Sequence, residues 1–430
     1  MTDFLAFPPA GAVRGTVRAP SSKSATNRAL LLAAIGADPV ELIGPLDSED
    51  TRALAVCLEA MGAQIAPTDR GVLVRGPLGR APGRPIRLDA GASGTAARFL
   101  AAVAAAVPGD WRLDGEPRLR ERPIAELVAA LVSAGASVRY EERDGFLPLG
   151  IAGGTLRGGE RVAVDASRSS QFLSALLLAG AATEKGISVR PVGAVASAPY
   201  ADTTVEILAE FGYDARRSAD GTIDVRRGDG TGPRSYAVPG DWSSALPFFV
   251  AAGIAGGEVE IEGLAWPSSD ADARASRVIE EMGVVVRRDA GSIHARAEEG
   301  GLRPVSISAR DFPDAVPALA ALAAHAAGES RFRDVAHLRG KESDRLDAIV
   351  KLFTAAGVRA SAGGDELAVT GPSRSVSGLM RLPTFGDHRI AMAAALISLS
   401  SAGALIENPG CVSKSYPRFF RDLETILVRG

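Results

Sequence analysis

A chain of 430 residues is too long for one hydrophobic core, so two or more domains are expected. Hydrophobic residues make up 46% and aromatics only 5%, which points to cores of Ala, Leu and Val, and a net charge of −3 excludes the global basic field of a nucleic-acid binder. Cys57 and Cys411 fit neither a disulfide framework nor a zinc spacing, no apolar run reaches membrane-spanning length, and the first residues lack a secretory leader's pattern, so a cytoplasmic chain in a reducing compartment is expected.

Taken in chain order, six segments share one plan: a small polar turn, an Ala/Leu-rich helix, then Gly. They are "SSKSATNRALLLAAIGA" (21–37), "GASGTAARFLAAVAAA" (91–106), "SRSSQFLSALLLAGAA" (167–182), "GDWSSALPFFVAAGIAGG" (240–257), "RDFPDAVPALAALAAHAAG" (310–328) and "GDHRIAMAAALISLSSAGA" (386–404). A second helix follows in each unit. Five of these stop at a glycine (Gly62, Gly135, Gly212, Gly283 and Gly357) that suits a helix C′ position, and each leads into a hairpin-like pair such as "VRASAGGDELAVTG". The sixth unit ends on "RFFRDLETIL".

Six α/β units divide into two domains of three, with the break in the Gly/Pro-rich stretch 229–242. The expected domains are 21–236, and 237–430 together with residues 1–20; composition leaves open which domain the N-terminal strand joins. The first helices are apolar on all faces and should be buried all round, while strands such as "RVAVDASR" alternate and should wet one face. The expected architecture is therefore inside-out, with helices within and sheets outside.

If similar helices start alike, their N-termini collect at one end of each domain and make an anion site facing the interdomain cleft. The starts are unusually polar: Lys23, Ser24 and Arg28; Ser93, Gly94 and Thr95; Ser169, Ser170 and Gln171; Asp314; His388 and Arg389. N-capping accounts for part of the serines. It does not account for Lys23, Arg28, Gln171 or the His388–Arg389 pair. Only five of the 48 basic residues are lysines, and Lys23, Lys341 and Lys414 lie in polar, motif-like stretches, whereas Lys185 and Lys351 read as surface residues. Lys23 is the odd one, a cation in the first turn of a helix, where the dipole disfavours it unless an anion shares the site.

The motifs "SKSATNRALLLAA", "SGTAARFL", "GEPRLRERPI", "SSQFLSALL", "SAPYADTT", "FPDAVPALA", "HLRGKESDRL", "GDHRIAMAAAL" and "NPGCVSKSYPRFF" occur in one order across nearly the whole chain. In this the sequence resembles the 3-phosphoshikimate 1-carboxyvinyltransferase (EPSP synthase) family of the shikimate pathway. The resemblance implies a two-domain inside-out α/β barrel with three βαβαββ units in each domain. It also implies transfer of the carboxyvinyl group of phosphoenolpyruvate to the 5-hydroxyl of shikimate 3-phosphate, with release of phosphate, no metal or organic cofactor, a monomer, and inhibition by glyphosate.

By the same resemblance Lys23, Gly94, Arg122, Gln171, Arg345, Arg389 and Lys414 would meet phosphoenolpyruvate, as guanidinium forks match phosphate and carboxylate oxygens. Shikimate 3-phosphate would be held by Lys23, Ser24, Arg28, Ser169, Ser170, Gln171, Ser197, Tyr200, Asp314 and Lys341. The addition–elimination needs one acid/base for the hydroxyl and another for C3. Asp314 suits the first and Glu342 the second, with Lys23 and Lys414 assisting the phosphate. His337 and His388 are further candidates, His388 as a residue that orients its neighbours. Without the family, Asp314 reads as an N-cap, Asp344 as one half of a helical i+3 or i+4 pair, and Glu49 and Asp50 as a capped helix start.

One stretch departs from the family, which commonly has Gly-Asn-Ala-Gly-Thr where this chain has "GASGT": Ala92 stands for Asn and Ser93 for Ala. Three rival families are opposed by particular residues. A UDP-N-acetylglucosamine enolpyruvyl transferase would have a cysteine in 114–123, which is absent. A non-catalytic anion-binding relative would have lost Asp314, Glu342 or Lys414. A phosphate-loop kinase would need a Gly-x-x-x-x-Gly-Lys loop before "SKS".

Overall fold

The structure, a computed structural model, describes residues 3–81, 83–228, 232–289, 291–372 and 379–428. Asp229, Gly230 and Thr231 of the Gly/Pro-rich stretch, Ala290 of one expected hairpin, and Met1 and Thr2 of the N-terminal segment lie outside the described residues. The fold is mixed α/β, with six small mixed sheets. It forms two compact units, 21–238 and 239–430 with 1–20.

In the unit 21–238 each sheet follows one plan. A first strand runs parallel to a second, and the second is extended by an antiparallel pair. Thus Arg161–Asp165 lies parallel to Ile187–Val192, which pairs antiparallel with Ile223–Arg226, and that strand with Asp214–Arg217. Ile86–Asp89 and Asp110–Asp114 open the second sheet in the same way. In the third sheet the first strand is Ser235–Ala237, from the end of the unit, beside Val40–Ile43 from its beginning.

Two of the three sheets of the unit 239–430 use the plan again, the third has a single antiparallel strand, and N-terminal strands are built in. Ala12–Arg18 lies parallel to Gly257–Glu262, and Phe4–Phe7 pairs antiparallel with Ala404–Glu407. "RFFRDLETIL" forms a helix only over Phe419–Glu424, and the chain then adds a short edge strand, Leu427–Val428, beside Ala12 and Val13.

The first helix of each repeat is the core. Every residue from Ala25 to Ala34 of Lys23–Ile35 is buried, as are all eight of Val316–Ala323 and all eleven of His388–Ser398. Gln171 is the one residue of Ser170–Ala181 outside the buried set. Helices so enclosed cannot be amphipathic, which is why Ala and Leu fill all faces. The strands alternate instead: Arg161–Asp165 is exposed at Arg161, Ala163 and Asp165 and buried at Val162 and Val164. The five glycines closing the second helices all take positive φ, from 71° at Gly357 to 122° at Gly62, a conformation that a side chain disfavours.

Candidate active site

In the unit 21–238 three helix starts are joined by side chains. Ser22 caps Lys23–Ile35 by accepting from Ala25 N at 3.2 Å, and Lys23, its first residue, donates from Nζ to Asp50 Oδ2 at 3.0 Å. Arg28, one turn on, is buried and spread over four residues. Its Nε donates to Thr204 Oγ1 (2.8 Å), Nη1 to Ser24 O (3.0 Å) and Ser24 Oγ (2.5 Å), and Nη2 to Ser174 Oγ (3.3 Å) and Tyr200 O (3.1 Å). The guanidinium also lies 5.2 Å from the Phe99 ring centre. Ser24, Arg28 and Tyr200 are thus brought together with Ser174 and Thr204, which sequence reasoning did not single out.

The second and third starts meet through an amide. Gln171 Oε1 accepts from Arg98 Nη1 at 2.8 Å, and Gln171 Nε2 donates to Thr95 Oγ1 at 3.1 Å. Arg98 also donates to Gly94 O and Pro123 O, at 3.3 and 3.2 Å. The signal for Arg98 was in the sequence: a cation in the middle of an all-apolar helix has to be paired. Gly94 sits under two guanidinium groups, for a Cβ there would lie 2.5 Å from Arg98 Nη1 and 2.6 Å from Arg122 Nη1. Ser93 is buried and caps its helix, accepting from Ala96 N at 3.2 Å. Ser169 caps the third start through Gln171 N at 3.2 Å, and Ser170 is buried behind it. Ser197 is buried at φ 56°, a strained setting for a non-glycine, just ahead of the helix Pro199–Glu210.

In the unit 239–430 the centre is Arg345, whose side chain has no exposed surface. Its Nε donates to Asp387 Oδ2 at 3.1 Å, Nη1 to Asp314 Oδ1 at 2.8 Å and Nη2 to Glu342 Oε2 at 2.8 Å. Lys341 Nζ and Arg389 Nη2 stand 3.8 and 3.7 Å from the two oxygens of Asp314. Arg389 also donates from Nη1 to Ser243 O at 2.8 Å and from Nη2 to Ser243 Oγ, which ties the helix His388–Ser398 to the start of Trp242–Ala255. Asp387 accepts from Arg389 N at 2.9 Å and Ser343 Oγ at 3.0 Å, so one carboxylate caps a helix and braces Arg345. Asp387 and Ser343, in "GDHR" and "GKESDR", are functional-site residues that sequence reasoning did not single out.

Two readings of the sequence are corrected here. Asp314 is not an N-cap. The helix begins later, at Val316, with Pro317 in its first turn and Ala315 at the cap position without a side-chain bond, so Asp314 lies in the preceding turn and is turned over to cations. Asp344 is the N-cap of Arg345–Ala355, accepting from Asp347 N at 3.2 Å and pairing with Arg339, rather than half of an intrahelical pair.

Burial by itself would raise the Asp314 carboxyl, and Glu342 adds to that. Lys341, Arg345 and Arg389 together outweigh both and hold it well below the carboxylate range. Burial, with help from Lys341, lowers the His337 imidazole to about 3 against the pull of Asp314, so the ring is neutral near pH 7. His388 is buried with Nδ1 3.8 Å from Asp387 Oδ1, and Lys414 is buried at the end of the short 3-10 helix Pro409–Lys414. Among the described residues no group of three or more His, Cys, Asp or Glu side chains is placed to hold a metal ion, and no helix is long and apolar enough to cross a membrane.

The chemistry available is recognition of anions by guanidinium and ammonium groups at helix N-termini, next to an ionised carboxylate that can take a proton. A family model described as EPSP synthase (3-phosphoshikimate 1-carboxyvinyltransferase) matches residues 8–423. The 3-phosphoshikimate 1-carboxyvinyltransferase of Bordetella petrii is 37% identical over 437 residues, covering 99% of this chain and 97% of that protein. The enzyme of the same name from Syntrophobacter fumaroxidans is 39% identical, covering 97% and 98%. The EPSP synthase structure from Acinetobacter baumannii superposes with a TM-score of 0.81 at 26% identity, over 100% of this chain and 99% of that one.

Proposed function

The chain belongs to the EPSP synthase family and transfers the carboxyvinyl group of phosphoenolpyruvate to shikimate 3-phosphate, and from that premise we propose the part each residue plays. Phosphoenolpyruvate is held by Lys23, Gly94, Arg122, Gln171, Arg345, Arg389 and Lys414. Shikimate 3-phosphate is held by Lys23, Ser24, Arg28, Ser169, Ser170, Gln171, Ser197, Tyr200, Asp314 and Lys341, and His337 and His388 line or support the same groups.

The observation that carries this reading is the convergence of Arg345, Lys341 and Arg389 on Asp314. The three cations keep Asp314 ionised at neutral pH, the form that can accept a proton, and by the same attraction they hold it a weak base until bound polyanions offset their charge. In the reaction Asp314 takes the proton of the 5-hydroxyl as its oxygen attacks C2 of phosphoenolpyruvate, while Glu342 delivers a proton to C3. Return of the C3 proton to the protein then expels phosphate, whose growing charge is met by Lys23 and Lys414. Arg345, bonded to both Asp314 and Glu342, sets the distance between the two proton-handling groups.

The finer architecture proposed is the inside-out barrel, three βαβαββ units in each of two domains, 21–236 and 237–430 with 1–20. It is supported by the shared strand plan and by the buried first helices. A cytoplasmic monomer is the expected working form. The function is tested by phosphate release from phosphoenolpyruvate with and without shikimate 3-phosphate. Release that depends on the acceptor is expected, and its absence would overturn the assignment.

A further inference from the structure

Lys23 places a positive charge at the positive end of its own helix, which costs free energy unless an anion is close. The fold supplies one. Lys23 Nζ donates to Asp50 Oδ2 at 3.0 Å, with only 15% and 4% of the two side chains exposed. Asp50 belongs to another helix, Glu49–Met61, and sits in its first turn, where a carboxylate is favoured.

The two helix starts are fastened through one loop residue. Leu46 donates its N–H to Thr26 Oγ1 at 3.0 Å and its C=O accepts from Thr51 Oγ1 at 2.7 Å, so the two helices grip the same residue from its two sides. Thr26 also donates to Ser22 O at 2.8 Å, and Ser48 with Thr51 completes a capping box. Ser22, Thr26, Ser48, Asp50 and Thr51 are all buried. A surface ion pair samples many geometries and is worth little. This pair is built on two anchored backbones, so the position of Asp50 decides where the ammonium points.

We propose that Asp50 is a positioning residue for the transfer reaction: it aims the Lys23 ammonium, and it is the resident anion that an incoming phosphate or carboxylate has to share or displace. The inference rests on the role given to Lys23 above. Its consequence is a split in the kinetics. Removing the charge while keeping the shape leaves Lys23 badly aimed, which lowers kcat, and frees it from a competitor, which lowers KM. A residue that only stabilised its helix would lower the melting temperature and would not lower KM.

The test is steady-state kinetics of Asp50→Asn, Lys23→Met and the double variant, with phosphoenolpyruvate varied. For Asp50→Asn a kcat loss of about 10- to 100-fold is expected, with KM falling by about threefold or more. In the Lys23→Met background the Asp50→Asn change should cost nothing further. Asp50→Glu keeps the competing charge, so its KM should stay at the wild-type value with kcat between the wild type and the Asn variant. A wild-type kcat in Asp50→Asn, a KM in Asp50→Glu as low as in Asp50→Asn, or an equal Asp50→Asn loss with and without Lys23 would overturn the inference. Near-normal turnover by Lys23→Met alone would overturn the role of Lys23 itself, and is recognisable because it needs no change at Asp50.

Discussion

Arg345 Nε lies 3.1 Å from Asp387 Oδ2, and neither side chain has any exposed surface. A buried pair of this kind contributes little net stability, because desolvation offsets much of the attraction, but it is costly to break from one side. Asp387→Ala leaves Arg345 short of one counter-ion, orphans Ser343 Oγ and removes the cap of His388–Ser398. A loss of about 3–5 kcal/mol is expected, measured by urea unfolding, with a lower kcat in whatever folds.

His337 makes stability depend on pH in a definite window. Its folded value is about 3 and its unfolded value near 6.5, so between those values the unfolded chain binds a proton that the folded one does not. Stability therefore falls as pH drops from 6.5 towards 3, by no more than about 1.4 kcal/mol per unit. The stabilising contribution of Asp314, whose carboxyl is depressed, is complete above the unfolded carboxylate value and is lost only as pH falls further, so it does not blur the upper part of this slope. From pH 6.5 to 5 His337→Gln should decline less steeply than the wild type, with a residual slope from His325, which burial also holds below its ordinary value. Parallel melting curves for the two proteins would refute this.

Gly94→Ala places a methyl group against the tips of two flexible side chains rather than against backbone. The fold should survive while Arg98 and Arg122 move aside. We expect KM for phosphoenolpyruvate to rise about tenfold, the scale of one lost charge-assisted hydrogen bond, with KM for shikimate 3-phosphate little changed. Equal changes in both constants would place the two guanidinium groups elsewhere in the reaction.

Glyphosate should inhibit in competition with phosphoenolpyruvate; an undiminished rate at high excess would count against that. The Ser93 hydroxyl oxygen already caps a helix, so it is a poor replacement for the missing Asn amide at Ala92. Ala92→Asn should therefore tighten inhibition about threefold to tenfold, one neutral hydrogen bond, read from glyphosate titrations of both proteins.

Much of the fold was legible in the chain because it repeats. An apolar run such as Val316–Ala323 has no polar face to show to water, so its burial follows from its composition. Glycines such as Gly62 and Gly357 mark where a backbone must turn through positive φ. The start of the helix after "FPD" was misplaced because Pro317 is compatible with several registers in the first turn, and only packing selects Val316 as the first residue.

The sequence by itself determined the elements, their sixfold plan, the family and the set of charged residues gathered at the helix starts. Each of these depends on local propensity or on patterns readable along the chain. Which charge faces which was decided only by the tertiary structure. Asp387 is 42 residues from Arg345, and Gln171 is 73 from Arg98. Lys23 meets Asp50 across a helix–helix seam that Leu46 closes. A carboxylate is equally able to cap, to pair or to take a proton, and its role follows from the dielectric and the cations around it, which exist only once distant segments have packed.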